Sequence, residues 1–325
     1  MRMNKEYYVS PEGNDANPGS LKKPFKSLAR AQAEIRDCDD RGRTPITVHL
    51  RGGSYYLDDT LRFTAEDSGS SDAPVTYAAY KDEDVVISGG ARLSLEWEPY
   101  RGKPAPRLRQ TSGILWAQTP AGLDIDQLFV NGERQPMARY PNYDPEVRPL
   151  NGFAADAFSP ERVARWKDPT GGYIHAMHSK HWGGYHYRIT GKNPDGSVAY
   201  EGGWQNNRQM GMHEEHRFVE NIFEELDAPG EWFHDKKTRT LYFYPPEDVN
   251  VDTATFEIAQ LKHLIEFNGT SENPVQYIQI KGITFRHAAR TIMDSYEPLL
   301  RSDWSIYRGG AVLFACAEDC EIVDC

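Results

Sequence analysis

The stretch GGYIHAMHSKHWGGYHYRITG, residues 171–191, places four of the chain's ten histidines within twelve positions. His175, His178 and His181 recur at a spacing of three, and His186 follows. Imidazoles at close spacing can bind a transition metal, relay protons or line a polar pocket. The paired glycines at 171–172 and 183–184 and the alternation of Tyr185–Ile189 favour strand over helix. On a strand, residues three apart face opposite sides, so His175 and His178 cannot converge on one ion. The expectation is therefore no metal and no cofactor. Packing, or the lining of a ligand pocket by His178, His181 and Trp182, which together offer hydrogen bonds and a stacking face, is left as the use of the stretch. A second group, HEEH at 213–216, lacks the spacing of a helical zinc motif and reads as structural or pocket-lining.

Carboxylates are the other source of chemistry. Asp294, Glu297 and Asp303 fall in TIMDSYEPLLRSDWSIYR, about twenty residues that leave the surrounding rhythm of short strands. Long excursions of this kind tend to be functional. With Arg301, Trp304, Tyr296 and Tyr307 they compose a set suited to sugars, the rings stacking on C–H faces and the charged groups holding hydroxyls. A loop packed on a neighbouring domain is the alternative reading. Asp58, Asp59 and the run Asp82–Asp84 read as solvated turn charges.

The elements that must carry these residues are mostly strands. ITVHL (46–50), SYYL (54–57), LRFT (61–64), VTYAAY (75–80) and VVISGG (85–90) follow one another too closely for helical crossovers. They also lack the Asn-Gly or Asp-Gly signals of tight hairpins. Short strands joined by irregular turns fit a solenoid of stacked coils. LARAQAEIRDC (28–38) has Leu28, Ala31, Ile35 and Cys38 at helical spacing, as needed to cap the open apolar end of a first coil. The loop before it holds Asn14, Asp15 and Asn17, read as turn-forming rather than calcium-binding. Six of seven tryptophans fall between 92 and 250, where an Asn131-Gly132 turn and DKKTR between aromatic strands predict antiparallel hairpins. SPERVARW (159–166) predicts a short helix capped by Ser159. The coil rhythm returns near Phe256.

These segments resemble the right-handed parallel β-helix proteins of carbohydrate metabolism, most closely the group around glycoside hydrolase family 141. The resemblance rests on YYVSPEGNDANPGSLKKPFKSLARAQAEIR, VHLRGGSYYLDDTLRF, LFVNGERQPMARYPN, GEWFHDKKTRTLYFYPP and IQIKGITFRHA with RSDWSIYRGGAVLF. It implies an all-β, right-handed parallel β-helix with an N-terminal capping helix and an inserted antiparallel β domain. Residues 1–92 would form the cap and first coils, 93–252 the insertion and 253–325 further coils of a longer chain. It implies a glycosidase acting on a plant cell-wall or related glycan through two carboxylates. No motif places the catalytic residues, which the resemblance puts on coils beyond these. A polysaccharide lyase and a non-catalytic glycan-binding scaffold are the alternatives.

Bulk properties agree with an oligo- or polysaccharide partner. Net charge is −11 with no basic stripe, which disfavours nucleic acid. No apolar run reaches the ~20 residues of a membrane span. The N-terminus lacks the apolar core of a secretory signal, so a cytoplasmic location is expected unless a signal was removed. Cys38, Cys316, Cys320 and Cys325 do not have zinc-site spacing and are expected to be buried, reduced thiols.

Overall fold

The computed structural model describes residues 4–101, 112–208, 210–294, 297–300 and 302–325. Among the described residues the chain is nearly all β, with two α-helices, and it divides into two compact units. The first comprises residues 1–91, 259–289 and 309–325, and the second comprises 92–258 and 290–308. Among the described residues, no helix is long and apolar enough to cross a membrane.

In the first unit the strands pair in parallel. Lys5–Val9, Ile46–Leu50, Val75–Ala79, Ile278–Lys281 and Glu321–Val323 form one sheet. Gly53–Tyr56, Val85–Ser88 and Thr284–Arg286 form a second. Leu61–Phe63, Ile265–Asn268 and Val312–Ala315 form a third. In-register pairing places like residues over like, so period-2 patterns such as ITVHL bury every second side chain against the same column. Tyr7, Val48, Tyr77 and Ile280 make one such column. Phe63, Phe267 and Phe314 make another, with ring centroids 5.3 and 4.3 Å apart.

Helix Leu28–Arg36 begins at Ser27, whose hydroxyl accepts the N–H of Arg30. Asp15 in turn accepts the N–H groups of Lys26 and Ser27 and the Ser27 hydroxyl, so this loop acid serves backbone donors. Leu28, Ala31 and Ile35 are buried in the unit's core beside Tyr7, Val9 and Phe25. The cysteines depart from expectation. All four are free thiols, but Cys316 and Cys325 are exposed and Cys38 and Cys320 only half-buried. The three C-terminal ones lie by the last parallel strands, on whose outer side no described strand is paired.

The second unit is antiparallel. Its largest sheet runs in the order Arg139–Tyr140, Met212–Glu220, Tyr173–His178, Gly184–Lys192 and Val198–Gly202. The hairpin Leu128–Val130/Glu133–Gln135 turns on Asn131 and Gly132, both with positive φ, the geometry that an Asn-Gly turn supplies. Phe256–Ile258 pairs antiparallel with that hairpin, and residues 290–308 cluster with this unit. From the sequence, Phe256–Ile258 reads as the start of the returning coils, and the second segment as an excursion from them with packing on a neighbouring domain as the alternative. The one-turn helix Pro160–Val163 starts at Ser159 and leads to Trp166, which is fully buried among Val163, Ile174, Ile189 and Val219.

The Phe267 ring is the middle of its column and fully buried. Phe267→Ala is expected to cost about 3–5 kcal/mol of stability, read as a lower denaturation midpoint. Phe314→Ala, which removes an exposed ring from the same column, should cost clearly less.

Candidate functional site

The stretch first singled out lies in the large sheet of the second unit. His175 and His178 belong to strand Tyr173–His178, His181 and Trp182 to the turn that follows, and His186 to strand Gly184–Lys192. Parity separates His175 from His178 as anticipated, and each enters a different environment.

His175 joins a buried polar chain. Its Nδ1 lies 2.7 Å from Nδ1 of His186, and its Nε2 lies 3.0 Å from a Glu220 oxygen. Arg290, the first residue of the 290–308 excursion, donates to Glu220 at 2.6 Å and to both oxygens of Asp126. Burial alone would raise the Glu220 carboxyl, but the charges of His175 and Arg290 prevail and hold it well below the usual carboxylate range. Burial would lower the Arg290 pKa, and Asp126 and Glu220 outweigh it in the opposite direction. Burial, with His175 and Arg290 adding to it, pushes His186 down to about 3. A charge network this enclosed holds strands in register rather than meeting substrate.

His178 belongs to an aromatic face. The ring is fully buried, its Nδ1 accepting the Lys180 N–H, and Trp182 stacks on it at 5.2 Å with planes 9° apart. Trp182 itself is 61% exposed. Trp304 comes within 6.0 Å of both His178 and Tyr185, ring centroid to ring centroid. A Cβ at Gly183 would sit 2.5 Å from the Trp304 ring, so the glycine permits this approach. The excursion is fastened here by its backbone: Ser305 N–H donates to the Gln205 carbonyl, and Asn207 N–H to that of Asp303. An exposed indole backed by a rigid ring, with a second indole beside it, is a surface on which a sugar ring can stack.

The other residues expected to contact sugar are dispersed. Asp303 pairs with Arg208 at 2.7 Å, and Glu297 pairs with Arg308. Arg308 holds the Glu297 carboxyl below its ordinary pKa, which suits a base or a hydroxyl-binding group and not a general acid. Asp294 closes a turn through its N–H on the Thr291 carbonyl. Arg301 and Tyr296 lie outside the described residues. Burial raises Glu231 to about 8, the direction a general acid needs. However, its oxygens accept the N–H groups of Asp227, Ala228 and Arg139, so it organises backbone.

Two further features were not legible in the sequence. A cleft of about 770 Å³ in the second unit has Tyr100, Phe223, Phe233 and Tyr242 along it, with Lys167 and the Asp168–Lys237 ion pair also lining it. The alternating aromatics of EWFHDKKTRTLYFYPP supply part of this lining, but their partners come from distant segments. The second feature involves HEEH, read from the sequence as structural or pocket-lining. His181, His213 and His216 place one ring nitrogen each within 4.8 Å of the others. The helical zinc spacing does not describe HEEH, which lies on strand Met212–Glu220, where the ladder is irregular. Ala176 pairs with Arg217 but His178 pairs with Met212, so five residues' advance on one strand matches two on the other. The extra residues bulge out, releasing His213 and His216 from alternation.

No protein-family model matches the chain. It is 34% identical over 126 residues to the uncharacterized protein YwoF of Bacillus subtilis, a match covering 39% of this chain and 23% of that protein. It is 33% identical over 84 residues to pectate lyase PEL9 of Emericella nidulans, covering 26% and 18%. In structure it is similar to a glycoside hydrolase, with a TM-score of 0.71 and 26% identity. That likeness covers 87% of this chain and 51% of the other. The chain thus spans about half of that hydrolase and less than a quarter of either sequence relative.

The buried chain of charges predicts acid sensitivity. His186 takes a proton more readily unfolded than folded, so stability falls as pH drops from about 6.5 toward 3. Glu220, depressed in the folded state, adds a further loss below about pH 4.5. Thermal melting against pH should decline across both windows. His186→Asn should flatten the segment between about pH 6.5 and 4.5 and leave the lower one.

Proposed function

We propose that this chain is part of a carbohydrate-active enzyme of the glycoside hydrolase class, built on a right-handed parallel β-helix with an antiparallel insertion. The observation that carries the reading is the structural likeness to a glycoside hydrolase across 87% of the chain. The parallel, in-register sheets of the first unit support the β-helix, and the sequence segments quoted above favour the group around glycoside hydrolase family 141. The substrate is a plant cell-wall or related glycan.

The second unit contributes binding. Trp182, stacked on His178 and flanked by Trp304, offers a flat apolar face to the C–H side of a sugar ring. Hydrolysis itself needs one carboxylic acid to protonate the leaving oxygen and one carboxylate to act as nucleophile or to activate water. Glu297, whose carboxyl Arg308 holds below its ordinary pKa, is unsuited to the acid role, and it and Asp303 are assigned to hydroxyl contacts. The catalytic acid is assigned to another part of the full-length protein. The sequence similarity to a pectate lyase favours one second reading, elimination from a uronate-containing polymer.

The experiment is incubation of the full-length protein with a panel of cell-wall polysaccharides. Release of reducing ends without unsaturated products supports hydrolysis. The absorbance of an unsaturated uronate would replace it with lyase chemistry, and no turnover on any glycan would remove both. Within that assay, Trp182→Ala is expected to weaken oligosaccharide binding by roughly 2–10-fold, the worth of one stacking contact. The loss should appear in KM more than in kcat.

A further inference from the structure

His181, His213 and His216 have no part in the buried charge network or in the stacked aromatic face. His181 sits in the turn after strand Tyr173–His178 with φ +59, a left-handed conformation uncommon for a non-glycine residue. His213 and His216 come from the bulged part of strand Met212–Glu220. The three rings cluster with centroids 4.3–4.7 Å apart. Nε2 of His181 lies 2.6 Å from Nδ1 of His216, a separation that two imidazole nitrogens tolerate only with a proton between them.

We propose that His181, His213 and His216 form a binding site for a divalent transition-metal ion, with zinc as the metal that the ligand set fits best. Three neutral imidazoles without a thiolate suit zinc, copper or nickel, whereas calcium and magnesium demand oxygen donors. Zinc–nitrogen bonds of about 2.0–2.1 Å at tetrahedral angles put ligand nitrogens about 3.3 Å apart. That spacing falls between the 2.6 Å of the closest pair and the 4.8 Å limit of the set. The ion takes the place of the shared proton between His181 and His216. Ligation through Nδ1 of His213 would displace the N–H groups of Glu215 and His216 that this nitrogen now accepts. The first of these contacts is exposed and can be exchanged for water. Phe153 meets the His216 ring edge-on at 4.2 Å and walls one side. His181 is exposed, which leaves the fourth position open to water.

The consequence is mechanical. The ion would clip the turn that carries Trp182 to the adjacent strand and hold His181 in its unusual backbone conformation. This inference does not depend on the glycan reading, because it concerns only what the three rings bind.

The test is titration of chelator-stripped protein with Co²⁺ alone, followed by Zn²⁺. One equivalent of Co²⁺ should produce the visible bands of a four- or five-coordinate, nitrogen-ligated ion, and Zn²⁺ should abolish them and raise the melting temperature. His213→Ala and His216→Ala should each weaken binding by more than the roughly 10–100-fold seen on losing an outer-shell partner. His49→Gln, in the first unit, should bind as the parent does. If an alanine variant melts lower without metal, His216→Gln, which keeps the bulk of the side chain, takes its place. Absence of saturable binding, a spectrum like aqueous Co²⁺, or equal affinity in the variants would overturn the site and leave three hydrogen-bonded, stacked imidazoles.

Discussion

Glu220 has almost no access to water, yet it carries a negative charge, and much of the second unit is arranged around that fact. A buried carboxylate is tolerable only when cations and donors surround it. Here His175 comes from the neighbouring strand and Arg290 from the start of the 290–308 excursion. Arg290 also reaches Asp126, just before the Leu128–Val130 hairpin strand. One carboxylate therefore ties the sheet, the hairpin and the excursion together. Removing Arg290 would take the guanidinium from both Glu220 and Asp126, a loss of the order of 3–5 kcal/mol.

The aromatic face is downstream of that anchor. With Arg290 fixed, the excursion's far end is stitched to residues 204–207 by backbone hydrogen bonds, and Trp304 reaches Gly183, His178 and Tyr185. His178, buried and held by the Lys180 N–H, then serves as the rigid backing for Trp182. Trp204, 46% exposed, follows on the same segment that accepts Ser305. Side chains packed from one face leave the other free, so Trp182 presents an open indole face.

The sequence made parts of this legible and hid others for physical reasons. Alternation in ITVHL and the spacing of Leu28, Ala31 and Ile35 report directly on burial, because strand and helix periods are local. The Asn131-Gly132 turn is equally local, since its dihedrals demand those residues. His178, Trp182 and Trp304 were singled out by residue type and do meet. Glu220, Arg290 and Asp126 were not, because a charge network is a property of tertiary approach and each residue alone looks like any surface charge. The His181–His213–His216 cluster was missed differently. The helical zinc spacing does not describe HEEH, which lies on a strand whose ladder is irregular between Ala176 and His178.

The central claim is that the second unit presents its Trp182–Trp304 face to a glycan. Hydrogen exchange of the full-length protein, with and without an oligosaccharide too short to be turned over, tests it most directly. The account predicts slower exchange confined in this unit to residues 179–187 and 302–305. Unchanged exchange there under saturating ligand, with protection only elsewhere, would contradict it.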